Sequence, residues 1–136
     1  MLIDDEDLFH LVFEDACNIL DITLSLEALN SSDEADAKFK EWFPDDLNEE
    51  RPECVFVDLN IIGSSFDGIE MIRKINYDYG NGCVVGIISS SDDHQEIDKA
   101  KEAGAQFWII KSDDIEPRLE DYEGYKSKKN SFKVYR

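Results

Sequence analysis

Basic residues are scarce in this chain: 14 Lys and Arg stand against 32 Asp and Glu, a net charge of −18. Direct nucleic-acid binding relies on Lys and Arg meeting phosphates, so the deficit argues against it. A basic protein partner fits, although the same excess also serves plain solubility. Cysteine is sparse as well. Cys17, Cys54 and Cys83 are odd in number and lack metal-ligand spacing, which excludes a disulfide framework and a zinc cluster. They read as small core residues in a reducing compartment. The only two histidines, His10 and His94, lie far apart and read as surface or helix-face residues. No apolar run approaches a membrane span, and no charged-then-apolar leader precedes the first acidic residues. The expected location is the cytoplasm. "GNGCVVG" hints at a nucleotide loop but precedes a strand instead of following one, so that reading is rejected. There are no internal repeats and no low-complexity segments.

What is present is a globular composition, 42% hydrophobic over 136 residues, enough for one domain with a real core. "MLI" reads as the end of a strand. Leu8, Leu11, Val12, Ala16, Ile19 and Leu20 recur at helical spacing over residues 6–20. "DITLSLEALN" alternates and suits a half-buried or edge strand at 21–29. Ser31 or Ser32 caps a helix running to about residue 42, where Pro44 disturbs its end. "LNEERPE" is a connector. A strand at 53–58 holds "CVFVD", a short continuous apolar run ending in a carboxylate, as in a strand buried on both faces. Ile69, Ile72, Ile75 and Tyr79 mark a helix over 67–79, and "GNG" a turn. "CVVGIIS" is a second buried strand at 83–89. A helix over 92–103 ends at Gly104, and "QFWIIK" is a strand at 106–111. Ile115, Leu119, Tyr122 and Tyr125 mark a last helix, with Pro117 in its first turn, where proline is tolerated. Strict β-α alternation predicts a five-stranded parallel sheet with helices on both faces and right-handed crossovers. Residues 1–125 form the domain. Residues 126–136, with Lys126, Lys128, Lys129, Lys133 and Arg136, form a basic C-terminal tail.

The strand ends carry the chemistry. Asp4 and Asp5 follow the first strand, Asp58 the third, Ser89 the fourth and Lys111 the fifth. In a doubly wound sheet these ends converge on one edge. A lone strand-end aspartate is either a cap or a site residue. Three clustered carboxylates force the choice, because two unit charges ~4 Å apart repel by roughly 4 kcal/mol at an effective dielectric of ~20. Protons or a cation must relieve that repulsion. A hard divalent ion suits an all-oxygen site, and magnesium uses only a few carboxylates. Such an ion and Lys111 together would neutralise phosphoryl oxygens. Asp58, alone at the end of a central strand, is the candidate nucleophile.

"MLIDDED", "VFVDLN", "DGIEMI", "IISSSDD" and "GAQFWIIK", in that order, resemble a response-regulator receiver domain over nearly the whole chain. The resemblance implies a flavodoxin-like strand order 2-1-3-4-5. It implies that Asp58 accepts a phosphoryl group from a histidine kinase or phosphotransfer protein. Mg2+ would be held by Asp5 and Asp58 through carboxylates, by Asn60 through its backbone carbonyl and by Asp4 through water. Ser89 and Lys111 would meet phosphoryl oxygens, and Ser90 is small enough to leave room. Asn60 and Ser91 match the positions that tune dephosphorylation, and Ser89 and Trp108 the switch pair. Ser112 stands where the family has proline. The loop after Asp58 is longer than usual, with Ile62 nearest its missing proline.

The expectation is a stand-alone phospho-acceptor in a two-component system, signalling through an unknown downstream protein, with no nucleic acid and no membrane. It would be no enzyme beyond catalysing its own phosphorylation and dephosphorylation. A pseudo-receiver interaction module is the alternative, motivated by Ser112 and the long loop. An aspartate-nucleophile phosphatase of the haloacid-dehalogenase type fits less well: it wants a second carboxylate where Asn60 stands, and late acidic ligands.

Overall fold

The computed structural model describes residues 1–20, 28–42, 52–61, 63–79, 83–112, 114–126 and 132–136, the side chains of 123–126 apart. The strands are β1 (Leu2–Ile3), β2 (Ala28–Leu29), β3 (Cys54–Asp58), β4 (Val84–Ser89), β5 (Phe107–Ile110) and β6 (Lys133–Tyr135). The helices are α1 (Asp7–Ile19), α2 (Ser32–Trp42), α3 (Gly68–Arg73), α4 (His94–Glu102) and α5 (Glu116–Lys126). All strands pair in parallel, in the order β2-β1-β3-β4-β5-β6.

The predicted α/β architecture and the order of the first five strands are present. Among the described residues the strand count is corrected from five to six. β6 pairs with β5, Trp108 lying opposite Val134, so the chain re-enters the sheet after α5. Lys133, Val134 and Tyr135 pass from exposed through half-buried to buried, and three residues were too short a run to register in the sequence. The expected strand segment at 21–27, Pro44, residues 47–51 of the connector, Ile62, the "GNG" turn, the Tyr125 side chain, Lys128 and Lys129 lie outside the described residues.

Pleating divides the core in two. Ile3, Val55, Val57, Val85, Ile87 and Trp108 face α2, α3 and α4. Leu2, Phe56, Ile88, Phe107 and Ile109 face α1 and α5, meeting Phe9, Phe13, Leu119 and Tyr122. The starts of α2, α3 and α4 follow capping chemistry. Ser31 Oγ accepts from the Glu34 N–H, Asp67 from Glu70, and Asp93 from Gln95 and Glu96. The Asp93 cap starts α4 at His94, later than periodicity alone predicted. Gly104 ends α4 at φ +100°, as expected of a left-handed C-terminal glycine. Lys74–Asp78 continue α3 as one wide π turn. It brings Tyr79 to stack on Phe39 and its hydroxyl to the buried Asp36 carboxylate.

Cys17 and Cys83 are buried, and Cys54 is half-buried beside the Tyr122 hydroxyl. His94 is exposed. His10 turns back to the Asp4 carbonyl, its Nε2 at 2.6 Å.

Candidate functional site

Parallel register builds the site. Leu2 and Ile3 lie beside Phe56 and Val57, so the next residue on each strand, Asp4 and Asp58, leaves the sheet at the same level. Asp4 is fully buried and Asp58 nearly so. The Asp4 N–H still donates to Leu29 O, extending the β2 ladder. Its Oδ1 accepts from the Glu6 N–H at 2.8 Å, which fixes the carboxylate's orientation.

Lys111 arrives from β5, its N–H donating to Ser89 O at 2.7 Å. Its ammonium contacts Asp4 Oδ2 at 2.8 Å, Glu6 Oε1 at 3.5 Å and Asp58 Oδ2 at 3.7 Å. The Phe9 ring lies 4.2 Å below it, a cation–π contact. Burial alone would lower the lysine's pKa. The Asp4 hydrogen bond and the charges of Asp58, Asp4 and Glu6 outweigh burial and raise it, so Lys111 is a fixed cation.

Asp58 moves the other way. Burial and the Asp4 charge push its carboxyl up to about 7, only partly offset by Lys111, with Asp5 and Glu6 adding to the rise. Oxygens of Asp4, Glu6 and Asp58 lie within 4.8 Å of one another. One lysine does not neutralise three such carboxylates. The all-oxygen donors and the unrelieved repulsion fit a hard divalent cation.

Of the sequence-predicted residues, Asp4, Asp58 and Lys111 converge, and the backbone joins Ser89 to them. Ser89 Oγ accepts from the Ser91 N–H at 3.1 Å. Ser90 is exposed and lines a hollow with Lys111, Ser112, Glu6 and Phe9. Ser91 Oγ donates to Glu96 at 2.8 Å, tying the loop to α4. Trp108 is fully buried and its indole N–H donates to Ser91 O at 3.0 Å. Asn60 is exposed and lines a groove between α3 and α4. Asp5 is half-buried and acts on Asp58 through its charge; the third carboxylate of the cluster is Glu6. The sequence argument missed Glu6. Its signal was the run "DDED", in which the N-cap residue of α1 is turned back toward the strand end.

Two further features shape the site. A Cβ on Gly68 would lie 2.2 Å from the Asp58 carbonyl oxygen, so the glycine of "DGIEMI" lets α3 pack directly on the end of β3. The loop after Asp58 is pinned to the start of α2. Ser32 Oγ donates to Phe66 O, Ser64 Oγ accepts from the Ser32 N–H, and Asp33 accepts from the Ser65 N–H.

No protein-family model and no curated protein matches the sequence. Solved structures match its fold. The isolated REC domain of RcsB from Salmonella enterica serovar Typhimurium superposes at TM-score 0.76 with 11% identity, covering 97% of this chain and 89% of that one. A response regulator from Thermotoga maritima gives 0.73 and 20%, covering 93% and 95%. The receiver domain of NtrX from Brucella abortus gives 0.65 and 24%, covering 88% and 92%. The chain therefore has the receiver-domain fold.

Proposed function

We propose that this chain is a response-regulator receiver that accepts a phosphoryl group on Asp58 from a histidine kinase or phosphotransfer protein. One observation carries the reading: a buried strand-end aspartate beside a second buried carboxylate, Asp4, with the fixed ammonium of Lys111 in reach of both. Asp4, Glu6 and Asp58 would hold Mg2+, with Asp5 and the Asn60 carbonyl as the further ligands that the resemblance implies. When bound, the ion supplies positive charge for the carboxylate cluster and the incoming phosphoryl oxygens.

The chain's own residues do the rest. An Asp58 carboxylate oxygen attacks phosphorus, and the bond from phosphorus to the donor atom breaks, its electron pair leaving with the donor. Lys111 faces the oxygens as charge builds on them. Ser89 Oγ, at the end of the neighbouring strand, is placed to donate to one of them. Movement of Ser89 would draw on the loop that holds Trp108 through Ser91, biasing a two-state surface beside β5. Leu8 of α1 stands exposed at the hollow that Lys111 lines, with Phe9 and Val12 beside it, an apolar rim that favours a protein donor over a small molecule. The reaction is the protein's own modification and reversal, without turnover of a separate substrate.

Intact mass after incubation with a small acyl-phosphate donor tests the reading, with and without magnesium and beside Asp58→Asn. One phosphoryl adduct requiring both magnesium and Asp58 is the expected outcome. An unlabelled wild-type chain, where a known receiver is labelled, would refute it in favour of an interaction module that retains the fold.

A further inference from the structure

Ser112, where the chain leaves β5 just after Lys111, is the hub of a closed ring of hydrogen bonds. Its Oγ donates to Asp114 O at 3.1 Å. Arg118 Nη1 donates to that same Oγ at 2.6 Å and to Asp114 O at 3.1 Å. The ring balances: the hydroxyl gives one proton and accepts one bond, and Nη1 uses both its protons. It joins the residue next to Lys111 to the first turns of α5. Arg118 Nε is buried without a hydrogen-bond partner among the described residues. Leaving a buried donor unmet is costly, so the Nη1 contacts must hold the guanidinium there against that cost.

Lys111 needs such a hold. Its ammonium lies closer to Asp4 than to Asp58, 2.8 against 3.7 Å, and Glu6 draws on it as well. The direction in which the backbone leaves residue 111 sets how the ammonium is shared among them. We propose that Arg118, acting through Ser112, is a positioning residue for Lys111; this rests on reading Asp58 as the phosphoryl acceptor. A side-chain ring from α5 here fixes the strand exit that proline fixes in the family the sequence resembles.

The test uses the full chain and two readouts. The first is the NMR signal of the Lys111 ammonium without donor, which reports its pose whether or not phosphoryl transfer occurs. The second is the rate of labelling by acetyl phosphate with magnesium. Arg118→Ala and Ser112→Ala should each broaden or shift the ammonium signal and slow labelling by about 10- to 100-fold, the scale of a small misplacement at a reacting centre. Arg118→Lys, which keeps a donor, should recover most of both. Phe39→Leu, which disturbs the core beside α2 on the other face of the sheet, should leave the ammonium signal in place. An unchanged signal in Arg118→Ala and Ser112→Ala overturns the proposal, as does equal loss in Phe39→Leu. If no variant is labelled, wild type included, the acceptor reading fails, and the ammonium signal still decides the role of Arg118.

Discussion

Asp58 is a buried acid that the fold holds partly protonated near neutral pH. Its carboxyl rises from 3.8 to about 7, chiefly through burial and the neighbouring Asp4 charge. Between those values the folded chain binds a proton that the unfolded chain releases. The group's contribution to stability is therefore greatest below 3.8, falls as pH rises toward 7 and is constant above it. In metal-free protein, Asp58→Asn should be more stabilising at pH 8 than at pH 5, by roughly 2–3 kcal/mol. Urea unfolding of both proteins at the two pH values measures this; an equal difference at both would refute it. Saturating magnesium should shrink or reverse the gain, since the cation favours the ionised form. Glu6 makes a second claim at this scale. Glu6→Gln should weaken magnesium binding by about tenfold, read by calorimetry, if its carboxylate is part of the cluster.

At the scale of elements, close packing sets the tolerances. A Cβ at Gly86 in β4 would lie 2.4 Å from the Phe107 ring on β5. Phe107 packs in turn on Phe56 and Tyr122, so it has little room to yield. Gly86→Ala should cost about 1–3 kcal/mol by overpacking, measured as a lower midpoint in chemical denaturation. The glycine itself was visible in "CVVGIIS", but its reason was not, because the ring that fills its space comes from another strand. β6 follows the same logic. Tyr135 is buried and meets Tyr122 edge-on at 5.8 Å, a contact that no local period announces. The Asp36 carboxylate, between α2 and the π turn, is equally non-local. Burial works against its ionisation. The Tyr79 and Lys40 hydrogen bonds and the Lys74 charge outweigh burial and lower its pKa.

Across the whole molecule, the charge of −18 is spread over one small domain. Mutual repulsion of that size destabilises the compact state and is screened over about 10 Å at 0.1 M salt. Thermal unfolding without magnesium should therefore shift upward as sodium chloride is raised from 10 to about 200 mM. A flat or falling midpoint would mean that local ion pairs dominate instead.

The sequence by itself determined the alternation of elements, the order in which Asp4, Asp58, Ser89 and Lys111 reach their strand ends, the serine cap at the start of α2 and the glycine that ends α4. Each of these depends on local periodicity or on residue type at one position. Only the tertiary structure decided that Glu6 joins the carboxylates, that Lys111 sits nearer Asp4 than Asp58, that Arg118 braces Ser112, and that Lys133–Tyr135 form a sixth strand. Those depend on where side chains distant in sequence end up, and pairwise distances of a few ångströms are set by packing between elements, which no local pattern encodes.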